Sequence, residues 1–93
     1  MPKILIIGRF VFLLFGADIN EKRKHIHVEI KKGRKRFVAK FWLEPEIKVE
    51  EKGNLSPKEI KIAKKLILEN YDLLLIQVNK FLKSERIKTI IKK

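Results

Sequence analysis

The chain contains no cysteine, which excludes a disulfide framework and a thiolate metal site and makes a reducing compartment harmless to it. The cytoplasm is therefore the expected location. Histidine is nearly absent too, with two residues in 93, so any imidazole chemistry rests on His25 and His27 alone. Acidic side chains are scarce, 11 against 23 lysines and arginines. Long hydrophobic runs are missing: Phe10 to Ala17 is an uncharged stretch of eight residues, too short for a membrane span and marginal for a signal core. Arg9 interrupts the apolar start that precedes it, so neither a leader nor a membrane segment is expected. No internal repeat, low-complexity segment or helix-turn-helix recognition pattern is evident.

What is abundant is positive charge, +12 formally. Such a balance points to polyanions, an anionic membrane surface or an acidic partner protein. Eighteen of the 23 basic residues are lysine, whereas arginine is the residue preferred for planar phosphate and base recognition. General lysine and isoleucine enrichment is thus a competing explanation of the charge.

The most informative stretch is Lys24 to Pro45, KHIHVEIKKGRKRFVAKFWLEP. Successive strand residues alternate between faces, which places Ile26, Val28 and Ile30 on one side and His25, His27 and Glu29 on the other. A two-residue turn at Gly33-Arg34, with glycine at the positive φ of a type II′ geometry, sets Ile30 opposite Phe37, Val28 opposite Ala39 and Ile26 opposite Phe41. The same register puts His27 opposite Lys40, His25 opposite Trp42 and Glu29 opposite Val38. A slip of one residue would exchange the faces.

Around this hairpin, Lys3 to Ile7 and Arg9 to Phe15 read as two strands hinged near Gly8, the second apolar on both faces and hence central. Gly16 to Lys24 reads as an exposed loop. Glu46 to Glu51 reads as a short edge strand guarded by Lys48 and Lys52. Ser56-Pro57-Lys58-Glu59 carries the signature of a capping box, starting a helix to about Glu69 with Ile60, Ala63, Leu66 and Ile67 inward. Asn70 interrupts the pattern, and Tyr71-Asp72 restarts it as a second helix or a kinked continuation. The expectation is one α+β domain over residues 1–83, a small antiparallel sheet of four to five strands backed by two C-terminal helices. Residues 84–93 form a basic C-terminal extension that either pairs as an added strand or stays loose.

The pieces HIHVE, AKFWLEP and the Ser-Pro-Lys-Glu helix start, together with Met1-Pro2-Lys3-Ile4, resemble the domain-of-unknown-function family 4160 of small bacterial and archaeal proteins. The resemblance covers nearly the whole chain, with one departure: Arg23-Lys24 stands where many members carry Pro-Pro. It implies an arrangement similar to toxin-antitoxin pairs, with a small partner protein from the domain-of-unknown-function family 2442. It implies no chemistry.

Three readings of the histidine face stay open. His25 and His27 could act as acid and base on RNA, with Glu29 orienting them and Lys40 or Arg23 stabilising the phosphorane; side chains two apart on a strand are about 7 Å apart, close enough to flank one phosphate. The same three residues could ligate a metal, although a lysine opposite His27 opposes a dication, and neither metal nor cofactor is assigned. Or His25 packs on Trp42 and His27 bonds Glu29 as part of the architecture. The nucleic-acid grip would be Lys22, Arg23, Lys24, Lys31, Lys32, Arg34, Lys35, Arg36 and Lys40, with Trp42 stacking on a base. Asp18 could orient a histidine, though it also suits a turn. The leading expectation is a component of a toxin-antitoxin-like pair acting on RNA, with a histidine-dependent ribonuclease as its sharpest form. The alternative is a non-enzymatic module, an antitoxin or regulator, that binds RNA, DNA or an acidic partner protein.

Overall fold

A computed structural model of the protein describes residues 3–14 and 24–92. Strands β1 (Lys3–Ile7) and β2 (Phe10–Leu13) are followed by the long hairpin of β3 (His25–Lys32) and β4 (Lys35–Trp42) and by a short β5 (Lys48–Glu51). Helices α1 (Pro57–Glu69) and α2 (Tyr71–Leu82) come next, and the described chain closes with β6 (Ile90–Lys92). Across the sheet the order is β5-β4-β3-β2-β1-β6. Five strands form an antiparallel meander, and β6 returns to lie parallel to β1 at the far edge.

The α+β class is as expected, but the sheet has six strands and is mixed rather than wholly antiparallel. The added strand comes from the basic tail. A parallel neighbour needs a crossover, which the two helices provide, and side chains then fasten it. The Gln77 amide donates both to the Ile4 carbonyl (3.1 Å) and to the Lys88 carbonyl (2.8 Å), Thr89 donates to the Lys3 carbonyl (2.6 Å), and Lys92 donates to Asn70 Oδ1 (2.6 Å).

The β3–β4 register is the one the alternation demands, from His25 opposite Trp42 to Lys32 opposite Lys35. Gly33 has φ +62°, and Arg34 does not share the positive φ, the combination that defines a type II′ turn. One face of the sheet carries Phe10, Phe12, Ile26, Val28, Ile30, Ala39 and Phe41 against Ala63 and Ile67 of α1 and Leu74 and Val78 of α2. Each large side chain buried there contributes about 1.5–3 kcal/mol, so this single layer of helix on sheet is where the fold is held. The α1 start is closed as its sequence predicts: Ser56 Oγ accepts from the Glu59 N–H (3.2 Å) and Glu59 Oε1 accepts from the Ser56 N–H (2.8 Å). At the other end Asn70 breaks the run, its own N–H bonding the Leu66 and Ile67 carbonyls and its side-chain amide the Leu66 carbonyl. Among the described residues no helix is long and apolar enough to cross a membrane.

Candidate functional site

The helices cover one face of the sheet, so the side chains that alternate away from the core lie together on the other. Pairing rows place Leu13, His27 and Lys40 side by side, then Val11, Glu29 and Val38, then Lys31 and Arg36 towards the tip of the hairpin; His25 and Trp42 stand at its root. The predicted histidine face therefore forms as a unit, but its members are not equally open.

His25 is only 2% exposed. Its ring meets Trp42 edge-on at 5.5 Å between centroids and His27 edge-on at the same separation. Offset and edge-to-face contacts of this kind are the favoured aromatic geometry, and they make His25 part of the packing at the hairpin root. His27 is half-buried. Lys40, opposite it, reaches Glu50 at 3.2 Å and stands 5.0 Å from the Trp42 ring centroid, so its charge is shared between a carboxylate and an aromatic face.

Glu29, the proposed orienter of the imidazoles, is 8% exposed and held by Arg36. The guanidinium donates through Nε to Oε1 and through Nη2 to Oε2, each at 2.8 Å. This fork is the strong bidentate form of a charge-assisted pair. It holds the Glu29 carboxyl below its usual pKa, an effect that burial opposes and that Lys3 and Lys31 assist. Glu29 thus fixes the Arg36 guanidinium on the outer face of the hairpin.

A second carboxylate acts on the same hairpin from across the fold. Lys32 donates to Glu59 Oε1 (2.8 Å) and lies 2.7 Å from its other oxygen, with Arg9 of the β1–β2 turn at 3.7 Å. The Lys32 hydrogen bond, followed by those from Ser56, holds the Glu59 carboxyl down to about 2 against the cost of burial. The capping box reveals Glu59 in the sequence only as a local helix group. Its reach to Lys32, 27 residues away, has no local signature.

The predicted cations accordingly fall into separate groups. Lys31, Lys32, Arg34, Lys35 and Arg36 are all exposed at the tip, where β3 and β4 run beyond the last paired residue of β2 at Ile30 and beyond the β5 pairing at Lys40. Lys24 sits at the root, 3.6 Å from Glu44, and Lys40 lies between root and tip. Lys22, Arg23 and Asp18 lie outside the described residues. Among the described residues no group of three or more histidine, aspartate or glutamate side chains is arranged to hold a metal ion.

The sequence profile of the family described as "Domain of unknown function (DUF4160)" matches residues 9–77. No curated protein and no solved structure matches the chain.

Proposed function

For a chain that belongs to the DUF4160 family, we propose a non-enzymatic role: the nucleic-acid-binding component of a cytoplasmic toxin-antitoxin-like pair, gripping RNA through the tip of the β3–β4 hairpin. The observation that carries this reading is the charge of the tip. Arg9, Lys31, Lys32, Arg34, Lys35 and Arg36 gather there against two carboxylates, Glu29 and Glu59, each already bonded to a cation. Lys31, Arg34 and Lys35 have no carboxylate partner among the described residues, and their ammonium and guanidinium groups are available to phosphates. The two paired carboxylates serve a different end. They hold Arg36 and Lys32 in fixed positions, which reduces the side-chain entropy lost on contact.

Binding to fluorescent single-stranded RNA across a salt series tests this. Three or four phosphate contacts give a slope of log K on log salt of about −2 to −3. The double substitution Arg34→Glu, Lys35→Glu should weaken binding at least about tenfold and flatten that slope, because charge reversal removes counterion release at each contact. Unchanged affinity in the double variant would overturn the reading, and parallel duplex DNA and RNA arms identify the preferred polyanion.

A second reading is supported by the 5.5 Å approach of the two imidazoles, a ribonuclease with His25 and His27 as acid and base. Its decisive arm is incubation of total RNA with the wild-type protein and with His27→Ala. We expect RNA to stay intact in both; cleavage present in the first and lost in the second would establish the enzyme.

A further inference from the structure

The opposite end of α1 carries a different surface. Leu68 is 67% exposed and forms the ridge between two shallow pockets. One, of about 380 Å³, lies between Leu68, Asn70, Leu73 and Lys92; the other, of about 290 Å³, lies between Leu68, Tyr71, Leu43 and Ile47. The Tyr71 hydroxyl donates to the Leu43 carbonyl at 2.7 Å, which ties the α1–α2 junction to the end of β4 and fixes the floor on which Leu68 stands. Nine residues of helix separate Leu68 from Glu59, about 14 Å along the axis, so this patch is distinct from the basic tip.

Its charge is opposite as well. Glu69 and Asp72 line the first pocket and Glu46 the second, and none of the three has an ion-pair partner among the described residues. In a chain with 23 basic and 11 acidic residues, three carboxylates border one apolar ridge. The last turn of α1 contains no basic residue. Glu69 therefore adds to the negative end of the helix dipole instead of being offset by a cation there. Lys92 in the first pocket is already held by Asn70, and Lys64 and Lys65, one turn before Leu68, line neither pocket.

From this juxtaposition we infer that the helix-junction patch docks a segment of a partner protein that presents an apolar side chain flanked by lysine or arginine. The apolar group covers Leu68, and the flanking cations meet Glu46, Glu69 and Asp72. Nucleic acid is disfavoured because these carboxylates repel phosphate. A two-fold dimer through the patch would set the same three carboxylates against their own copies. The inference is independent of RNA binding at the hairpin.

The test is selection of a randomised displayed peptide library on the full-length protein, counter-screened on Leu68→Ser and on Glu69→Lys, Asp72→Lys. Leu68, Glu69 and Asp72 are exposed, so the variants should keep the wild-type circular dichroism and melting temperature. Selected peptides should converge on an apolar residue between basic ones and bind each variant at least about tenfold more weakly, a loss of about 1.4 kcal/mol. No enrichment, peptides with acidic flanks, or peptides that bind the variants equally well would overturn the inference. So would sedimentation showing a dimer of the protein that Leu68→Ser dissolves, since the occupant would then be a second copy.

Discussion

The root and the tip of the β3–β4 hairpin are built from the same two strands and differ in almost every physical respect. At the root, His25 is closed in by Trp42 and His27. At the tip, every residue from 31 to 36 is exposed, and two of its five cations, Lys32 and Arg36, are held by carboxylates. The difference teaches that a side chain alternating away from the core need not be available to a ligand. Histidines attract a catalytic reading by residue type, yet His25 is buried and His27 half-buried, while the cations at the tip are accessible and two of them are held by carboxylates.

The largest effect should come from glycines that share a positive φ and differ in surroundings. Gly33 at the tip and Gly53 before α1 have φ +62° and +58°. A Cβ at Gly33 meets open space, whereas one at Gly53 runs into the Val38 carbonyl of β4. Gly53→Ala should therefore destabilise by about 3 kcal/mol, the left-handed strain plus displacement of backbone. Gly33→Ala should lose only the strain, about 1–2 kcal/mol. Urea unfolding of both variants measures the gap, and equal losses would break the distinction between tip and body.

Next in size is His25→Ala. Truncating a side chain this buried leaves a cavity beneath Trp42, with a loss on the order of 2 kcal/mol, read as a lower urea midpoint. RNA affinity measured well below the melting temperature should be unchanged. Loss of RNA affinity without loss of stability would move the binding surface from the tip to the root.

The acid limb of stability separates the two carboxylates that serve the tip. Both Glu29 and Glu59 are held below the ordinary glutamate pKa of 4.5 by their cation partners, Glu59 at about 2. A depressed carboxylate contributes stability that is present above its unfolded pKa and is lost as pH falls through the folded one. Melting temperature should therefore decline between about pH 4.5 and pH 2. Glu59→Gln should flatten this decline and lower stability at pH 7, and added salt should do less to the Glu59 contribution than to an exposed pair. An unaltered acid limb in the variant would remove Glu59 from the account of how the tip is held.

Much of this contrast was legible in the sequence, and the exceptions have a common cause. Two-residue alternation with Gly33-Arg34 between the runs defined the hairpin register residue by residue, because only one register satisfies both faces. Ser56, Pro57 and Glu59 marked the α1 start, and Asn70 its end, for equally local reasons. What stayed hidden depends on residues far apart in the chain. Ile90 to Lys92 carry nothing that specifies parallel pairing with Leu5 to Ile7; the Gln77 amide, which bonds both Ile4 and Lys88, settles it from a third element. Glu59 looked complete as a capping residue until Lys32 and Arg9 reached it. Likewise, alternation placed His25 on the outer face correctly but could not report that Trp42 and His27 close over it.

The smallest expected effect sharpens the glycine comparison from the other side. Ser84 is a non-glycine residue at φ 58°, just beyond the α2 C-cap at Lys83. The Ser84 N–H bonds the Phe81 carbonyl at 3.1 Å and the Glu85 N–H bonds the Lys80 carbonyl at 2.8 Å, the paired bonds of a Schellman ending, whose left-handed position is usually glycine. Ser84→Gly relieves the steric strain of a Cβ there but gives the unfolded chain more freedom to lose, so the net gain should be about 0.5–1 kcal/mol. It should appear as a slightly higher urea midpoint with an unchanged m value. Gly33→Ala places a side chain at a positive φ where Ser84→Gly removes one, so the two changes should be of opposite sign, the loss at Gly33 being about twice the gain at Ser84. A loss at Gly33 well above about 2 kcal/mol would mean that the turn makes contacts beyond its own backbone, and the tip would then be less independent of the body than its exposure implies.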